Sequence, residues 1–174
     1  MSKTITTTLD SRSLHNAANQ IRAYKHELRK KLDGLITELA LEGASIARVI
    51  VMNEAYDTGA LMNSIEGFFD PVSRTGFIQA GKGLEVSGEG TKYGNYAFYV
   101  EFGTGIVGEE SPHPLSEDSG WDYDVHGHGE GGWFYKAKGK THWTKGQPAR
   151  PFMFETAMEL ERLARQLAKE RFRA

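Results

Sequence analysis

The stretch LHNAANQIRAYKHELRKKLDGLITELALEGASIARVIVMNE, residues 14–54, decides the fold because it predicts one very long helix. Ser13 is a candidate N-cap, since its hydroxyl can accept a hydrogen bond from a free amide of the first turn. We expect residues 1–13 to form a flexible arm ahead of the helix. No proline interrupts the stretch, and its apolar residues advance by threes, fours or their sums, as on one helix face: Leu14, Ala18, Ile21, Leu28, Leu32, Leu35, Leu39, Ile46 and Ile50.

The length of this helix is itself informative. At 1.5 Å per residue it would measure about 60 Å, roughly twice the diameter of a small domain. Either it breaks near Asp33-Gly34 or Gly43, or part of it extends beyond its own domain. In the second case, another chain would have to cover part of the apolar stripe.

The period of the apolar residues changes after the turn Asp57-Thr58-Gly59 and a short predicted helix, ALMNS (60–64). Four aromatic and β-branched runs then predict strands: SIEGFF (64–69), GFIQA (76–80), LEVSG (84–88) and YAFYVEF (96–102). Their spacing of about ten residues is typical of an antiparallel meander. In the last run, the alternation of Tyr96, Phe98, Val100 and Phe102 predicts a sheet with one face covered by the long helix.

Residues 106–132 differ from the rest of the chain in charge. They contain seven acidic residues and three histidines but no Lys or Arg, which predicts a long mobile surface loop inserted into the domain. The run GWFYKAKGKTHWTKG (132–146) predicts a hairpin, and Pro151 suits the first turn of a final helix. The apolar stripe of that helix comprises Met153, Ala157, Leu160, Ala164 and Leu167.

These elements predict an α+β fold: a long N-terminal helix and a C-terminal helix packed on an antiparallel sheet of about four strands plus a hairpin. We expect residues 14–174 to form a single domain, since a chain of 174 residues can bury one substantial core.

Composition excludes several classes of protein. The chain has no cysteine, which rules out disulfides and thiolate chemistry. Its 21 Lys and Arg against 23 Asp and Glu give no overall reason to expect nucleic-acid binding. The polar N-terminus lacks the apolar core of a signal peptide, and no run approaches the ~20 apolar residues of a membrane helix. We therefore expect a soluble protein made in a cytoplasm.

The spacing Gly103-x-Gly105-x-x-Gly108 matches a dinucleotide-binding turn, and Asp122 and Asp124 follow near the place of a ribose-binding carboxylate. Such a turn needs a helix directly after the glycines, because the phosphates bind the free amides of that helix. Prolines at 112 and 114 argue against a helix there. We expect no nucleotide or other cofactor, and we expect Gly103 and Gly105 to end a strand at backbone angles that a side chain would disfavour.

A possible metal site lies further along the same acidic segment. Asp122, Asp124, His126, His128 and Glu130 occupy every second position, so all five would point the same way if the segment were extended. Carboxylate and imidazole groups together can hold a divalent transition metal. A solvated polar loop is the simpler interpretation, because no strand partner is evident. No nucleophile–base pair lies on a predicted rigid element, so we expect no catalytic residues.

Basic residues gather in the first half of the long helix, at Arg22, Lys25 and Arg29-Lys30-Lys31. They could contact phosphates. Acidic residues lie among or after them, which favours a solvated helix face.

Three short segments carry a family resemblance. DTGALMNSI (57–65), YAFYVEFGTG (96–105) and KGQPARPFMFETA (145–157) occur in that order, between a long helix and a terminal one. This arrangement resembles the tail-completion family of long-tailed siphophages, small proteins described as tail-component, neck or head–tail joining proteins. The similarity spans about 50–160, with 106–131 as an elaboration of this chain.

The resemblance implies a non-enzymatic structural virion protein that is made in the host bacterial cytoplasm. It implies a ring, usually a hexamer, at the head-proximal end of the tail. The implied partners are further copies of the chain, a head-connector or stopper protein and a tail tube or tail terminator protein, with DNA passing through the lumen and no membrane. The alternatives are another neck role, as a stopper or adaptor, and a metal-dependent hydrolase using residues 122–130.

The resemblance also marks residues that define the fold or its contacts. We expect Glu101 and Arg150 to pair across the junction between the last strand and the final helix. The full set comprises Asp57, Gly59, Glu101, Phe102, Gly103, Gly105, Arg150, Pro151 and Phe152.

Overall fold

The computed structural model describes residues 4–55, 57–88, 91–123, 131–137 and 139–173. Its class is α+β, with the expected long first helix and terminal helix. The elements in chain order are α1 (Ser11–Glu54), α2 (Ala60–Asn63), β1 (Glu66–Asp70), β2 (Thr75–Gln79), β3 (Glu85–Gly88), β4 (Thr91–Asn95), α3 (Tyr96–Phe102), α4 (Gly105–Glu110), α5 (Ser116–Ser119), β5 (Trp133–Ala137), β6 (Lys140–Thr144) and α6 (Phe152–Phe172).

Helix α1 is continuous over 44 residues, so it is about 66 Å long. Its N-cap is Asp10 rather than the expected Ser13, and the Asp10 carboxylate accepts from the Ser13 amide at 2.9 Å. The helix breaks at neither Gly34 nor Gly43. A side chain at Gly34 would overlap the Arg171 guanidinium, and one at Gly43 would overlap Ile78 and Leu160. The absence of a side chain at Gly34 and Gly43 therefore lets β2 and α6 pack closely against α1.

The strands form three separate two-stranded antiparallel sheets within the described residues, β1–β2, β3–β4 and β5–β6. The first three predicted strands and the hairpin are confirmed within one or two residues, but the sheet is smaller than expected. Hairpin β1–β2 packs on α1, where Gly67 lies on Ala40 and Gly76 lies on Ile36. Glycine at these two positions lets the sheet backbone approach the helix closely.

The prediction of a strand over 96–102 is wrong, because YAFYVEF forms helix α3. The Asn95 side chain caps this helix by accepting from the Ala97 amide at 2.9 Å. Ala97, Val100 and Glu101 are buried, at the helical spacing of three and four residues, whereas Phe98 is 57% exposed. The strand that precedes α3 and pairs with β3 is β4, over 91–95.

The core lies where the second half of α1 meets α2, α3 and the start of α6. Alanines on α1 allow the close approach of the other helices. Helix α6 runs antiparallel to α1, and its last turn reaches Lys31 and Glu38 through Arg171. The buried cluster consists of Ala44, Ala47, Val51, Leu61, Ile65, Ala97, Val100 and Phe152.

Two predictions about the C-terminal half need correction. Pro151 precedes α6 instead of lying in its first turn, and Ala157 of the predicted stripe is exposed while Thr156 is buried. The acidic segment is also more ordered than expected over 106–123, where it contains α5 and most of α4. Among the described residues, no helix has both the length and the apolarity needed to cross a membrane.

Candidate functional site

Glu101 holds the start of α6 in place. Its side chain, on α3, is largely buried, with the residue 6% exposed. One carboxylate oxygen accepts from the Met153 amide at 2.8 Å and the other from the Phe154 amide at 3.0 Å. First-turn amides have no partner within their own helix, and the preceding Pro151 has no side-chain acceptor to offer them. Glu101 therefore acts as an N-cap supplied from another helix, where its negative charge also suits the helix dipole.

His113 completes this junction from the acidic segment. It is 3% exposed, and its Nε2 lies 3.1 Å from a Glu101 oxygen. Its Nδ1 accepts from the Leu115 amide at 2.9 Å, which places the ring proton on Nε2 as the donor to Glu101. A neutral imidazole thus satisfies both contacts.

Sequence reasoning missed His113. Twelve positions separate it from Glu101, and the prolines at 112 and 114 on either side of it indicated a surface loop. No local pattern marks the pair.

The expected ion pair between Glu101 and Arg150 is wrong. Both oxygens of Glu101 are engaged as described above, and the described residues show no ion pair between Glu101 and Arg150. Arg150 contributes its backbone instead, because its amide donates to the Val100 carbonyl at 2.9 Å. Two residues later, Phe152 enters the core and is 1% exposed. The segment therefore fixes where α6 docks through the backbone of Arg150 and the packing of Phe152.

Gly103 and Gly105 lie where the chain crosses the segment 145–149. Both have positive φ, 79° and 62°, as expected. The expectation that they end a strand is wrong, because Gly103 follows helix α3 and Gly105 begins α4. A Cβ at Gly103 would lie 2.7 Å from the Ala149 nitrogen, and one at Gly105 would lie 2.5 Å from the Lys145 oxygen. Between them Thr104 pairs with Gln147 through two backbone hydrogen bonds of 2.9 and 3.0 Å. These glycines allow two backbones to touch.

The expectation that no helix follows the glycines is wrong, because α4 begins at Gly105. Its first amides are nevertheless used by the chain itself. Gly105 donates to the Tyr123 carbonyl at 2.6 Å, and Val107 donates to the Lys145 carbonyl at 3.3 Å. A dinucleotide turn needs such amides for phosphate. Two amides at the start of α4 are therefore already occupied by carbonyls of the same chain.

Phe102 anchors the acidic segment to α3. Its ring lies 4.4 Å from the His113 ring and 5.1 Å from the Trp121 ring, with which it stacks. The Trp121 indole donates to the Gly103 carbonyl at 3.1 Å. Aromatic burial of this kind contributes beyond its area, so this part of the acidic segment belongs to the fold.

Asp57 and Gly59 shape the turn before α2. Gly59 has φ 78°, and its carbonyl accepts from the Asn63 amide at 2.9 Å. Asp57 is exposed near Tyr96. Burial, and then the Asp57 carboxylate, raise the pKa of Tyr96, whereas the Arg150 guanidinium lowers it. The turn therefore faces the start of α3 and the approach to α6.

Of the five candidate metal ligands, only Asp122 lies among the described residues. Asp122 is described and exposed, while Asp124, His126, His128 and Glu130 lie outside the described residues. Among the residues that are described, no group of three or more Asp, Glu or His could hold a metal ion.

The first half of α1 differs from the second half in its contacts to later elements. Among the described residues, the hydrogen bonds and ion pairs that join α1 to later elements begin at Lys31 and Asp33. Residues 11–30, the α1 overhang, thus form about 30 Å of helix without such contacts. Leu14, Ile21 and Leu28, spaced by seven, are between 42% and 55% exposed.

A second exposed apolar surface lies between α1 and α6. Here a groove of about 560 Å³, the α1–α6 groove, is open to solvent. Burial, and then the charges of Glu54 and Glu101, raise the pKa of Glu155 at its edge. The groove is lined chiefly by apolar Ile46, Val49, Ile50 and Met158 and by the carboxylates of Glu155 and Glu159.

No protein-family model, curated protein or solved structure matches this chain.

Proposed function

We propose that this chain is a structural virion protein of a long-tailed phage. It forms a ring at the head-proximal end of the tail and joins the tail to the head connector. The resemblance of segments 57–65, 96–105 and 145–157 to tail-completion proteins suggests this role.

The observation that carries the proposal is the α1 overhang. Its apolar residues repeat every seven positions from Leu14 to Leu28 and are about half exposed. Monomeric proteins rarely leave a contiguous apolar stripe uncovered, so such a stripe marks a surface for another chain. The α1 overhang therefore suits a subunit whose fold is completed by assembly.

Two distinct surfaces are what a ring requires. In a closed ring each subunit uses one patch against the preceding copy and a different patch against the next one. The α1 overhang and the α1–α6 groove are two such patches, at different places along the same helix. DNA would then pass through the lumen without a base-specific contact.

The test uses the phage that encodes the chain. Deleting the gene should leave separate filled heads and finished tails, and supplying the gene from a plasmid should restore joined virions. Antibody labelling and electron microscopy of intact virions should place the protein at the neck. Normal virions without the gene, or labelling at another place, would contradict the proposal. The position within the neck separates tail completion from a stopper or adaptor role.

A further inference from the structure

We propose that the α1 overhang of one copy docks in the α1–α6 groove of a second copy. The inference deepens the proposed function, since it rests on a self-assembling chain and names the contact.

The occupant cannot come from the same molecule. Overhang and groove belong to one continuous helix, and the 17 residues from Leu28 to Ser45 hold them about 26 Å apart. A straight helix cannot fold back over that distance. The groove can therefore receive an overhang only from another copy.

Charge favours a second copy over an unrelated helix. Of the 21 Lys and Arg in the chain, five lie within the α1 overhang, residues 11–30, against a single Glu among its 23 acidic residues. The groove edge carries the carboxylates of Glu155 and Glu159, the second of which also pairs with exposed Arg162. A basic apolar helix facing an acidic apolar groove is complementary in both respects.

The groove is long enough to receive part of the overhang. From Leu14 to Leu28 the exposed stripe is about 21 Å long. The α1 residues that line the groove extend from Ser45 to Ile50, about 8 Å. By helical periodicity, Arg22 and Arg29 border the apolar stripe on one side, where they can face the two glutamates.

A disulfide test is clean because the natural chain has no cysteine. Chains carrying Ile21→Cys and chains carrying Val49→Cys are mixed and oxidised. We expect a cross-linked pair only in the mixture, because the contact brings the two positions together in different copies. Lys30→Cys, on the opposite side of the overhang, serves as the control with Val49→Cys. Cross-linking no stronger than in this control would overturn the proposal.

Charge reversal supplies a second readout. The double variants R22E/R29E and E155K/E159K should each weaken self-association about tenfold or more, and their combination in one chain should restore it. Lys30→Glu and Glu161→Lys, on exposed positions away from the contact, should change association little. Circular dichroism and monomer unfolding verify that each variant folds. Association unaffected by either reversal would overturn the proposal.

The two proposals fail separately. Cross-linking between overhang and groove in a particle that is a closed dimer, or that is absent from the virion neck, would contradict the ring and leave the docking contact standing. Rings seen at the neck without the cross-link would contradict the docking contact and leave the function standing.

Discussion

At the scale of single residues, Glu101 connects three parts of the chain that are distant in sequence. It lies on α3, accepts hydrogen bonds from two amides of α6, and accepts a third from the imidazole N–H of His113 in the acidic segment. A buried carboxylate is costly unless donors surround it, and here three donors do so. The residue therefore stabilises the junction as a whole and not one contact.

Replacing Glu101 with alanine should destabilise the fold by about 3 to 5 kcal/mol, because it leaves two amides and an imidazole N–H buried without an acceptor. Glu101→Gln should reduce the free energy of unfolding by about 1 to 3 kcal/mol, since the glutamine NH₂ group would face N–H donors that need an acceptor. Urea unfolding followed by circular dichroism measures both. The matched control is exposed Glu109→Gln, which should stay within about 0.5 kcal/mol of the natural chain. A Glu101→Ala variant as stable as this control would contradict the capping role.

Alanine substitutions at Gly103 and Gly83 distinguish the cost of backbone strain from the cost of steric overlap. Both have positive φ, 79° and 78°, but a Cβ at Gly83 meets nothing within 4 Å while one at Gly103 meets the 147–149 backbone. Gly83→Ala should therefore cost only the strain, about 1 kcal/mol. Gly103→Ala should cost a further 1 kcal/mol or more, by order of magnitude, because the crossing segment must move. Equal thermal unfolding midpoints for the two variants would show that the crossing is not tight.

At the scale of elements, α1 combines two helices of different character in one rod. Its second half is held by the core, by β1–β2 and by α6, with Ala44, Ala47 and Val51 almost fully buried. Its first half has helical periodicity, but among the described residues no hydrogen bond or ion pair joins residues 11–30 to a later element. Most helical stability in proteins comes from tertiary packing, so the two halves should differ in how often they open.

Hydrogen exchange measures that difference. In monomeric protein, amides of residues 14–30 should exchange faster than those of residues 43–51, because only Ala17 of the first stretch is buried, against Gly43, Ala44, Ala47 and Val51 of the second. Peptides from α6 in the same digest give the packed reference. Once the chain assembles, protection over 14–30 should rise. Equal protection of both halves in the monomer would mean that the overhang is already covered.

At the scale of the whole molecule, charge is unevenly distributed although the net charge is only −2. Residues 11–31 are strongly basic, and most of the acidic residues lie elsewhere, with seven of them in 106–132. Such an arrangement favours contacts between unlike regions of two copies and disfavours like-to-like contacts. It fits a head-to-tail assembly.

Self-association should accordingly weaken as salt rises. Between roughly 50 mM and 500 mM NaCl the Debye length falls severalfold, so attraction between the basic overhang and an acidic partner surface is screened. We expect about a tenfold increase in the dissociation constant, measured by analytical ultracentrifugation or mass photometry. The unfolding midpoint of the monomer at the same salt concentrations is the control. Association that strengthens with salt would point to a contact dominated by apolar surface alone.

Features that depend on near neighbours can be predicted from the amino-acid sequence alone. The spacing of apolar residues from Leu14 to Ile50 predicts α1, the aromatic runs around KAKGK predict β5–β6, and Gly103 and Gly105 have the positive φ expected of them. Periodicity, turn chemistry and backbone sterics act over a few residues, which is why they can be recognised locally.

Features that depend on partners distant in sequence become visible only in the folded structure. The run 96–102 alternates like a strand, yet the Asn95 cap and the burial of Ala97 and Val100 against α1 and α6 make it a helix. Glu101 finds its donors 12 and 52 residues away, so no local pattern could show whether it pairs with Arg150 or caps α6. Propensity is a weak local preference, and packing across the chain overrides it wherever more burial and better-satisfied hydrogen bonds result.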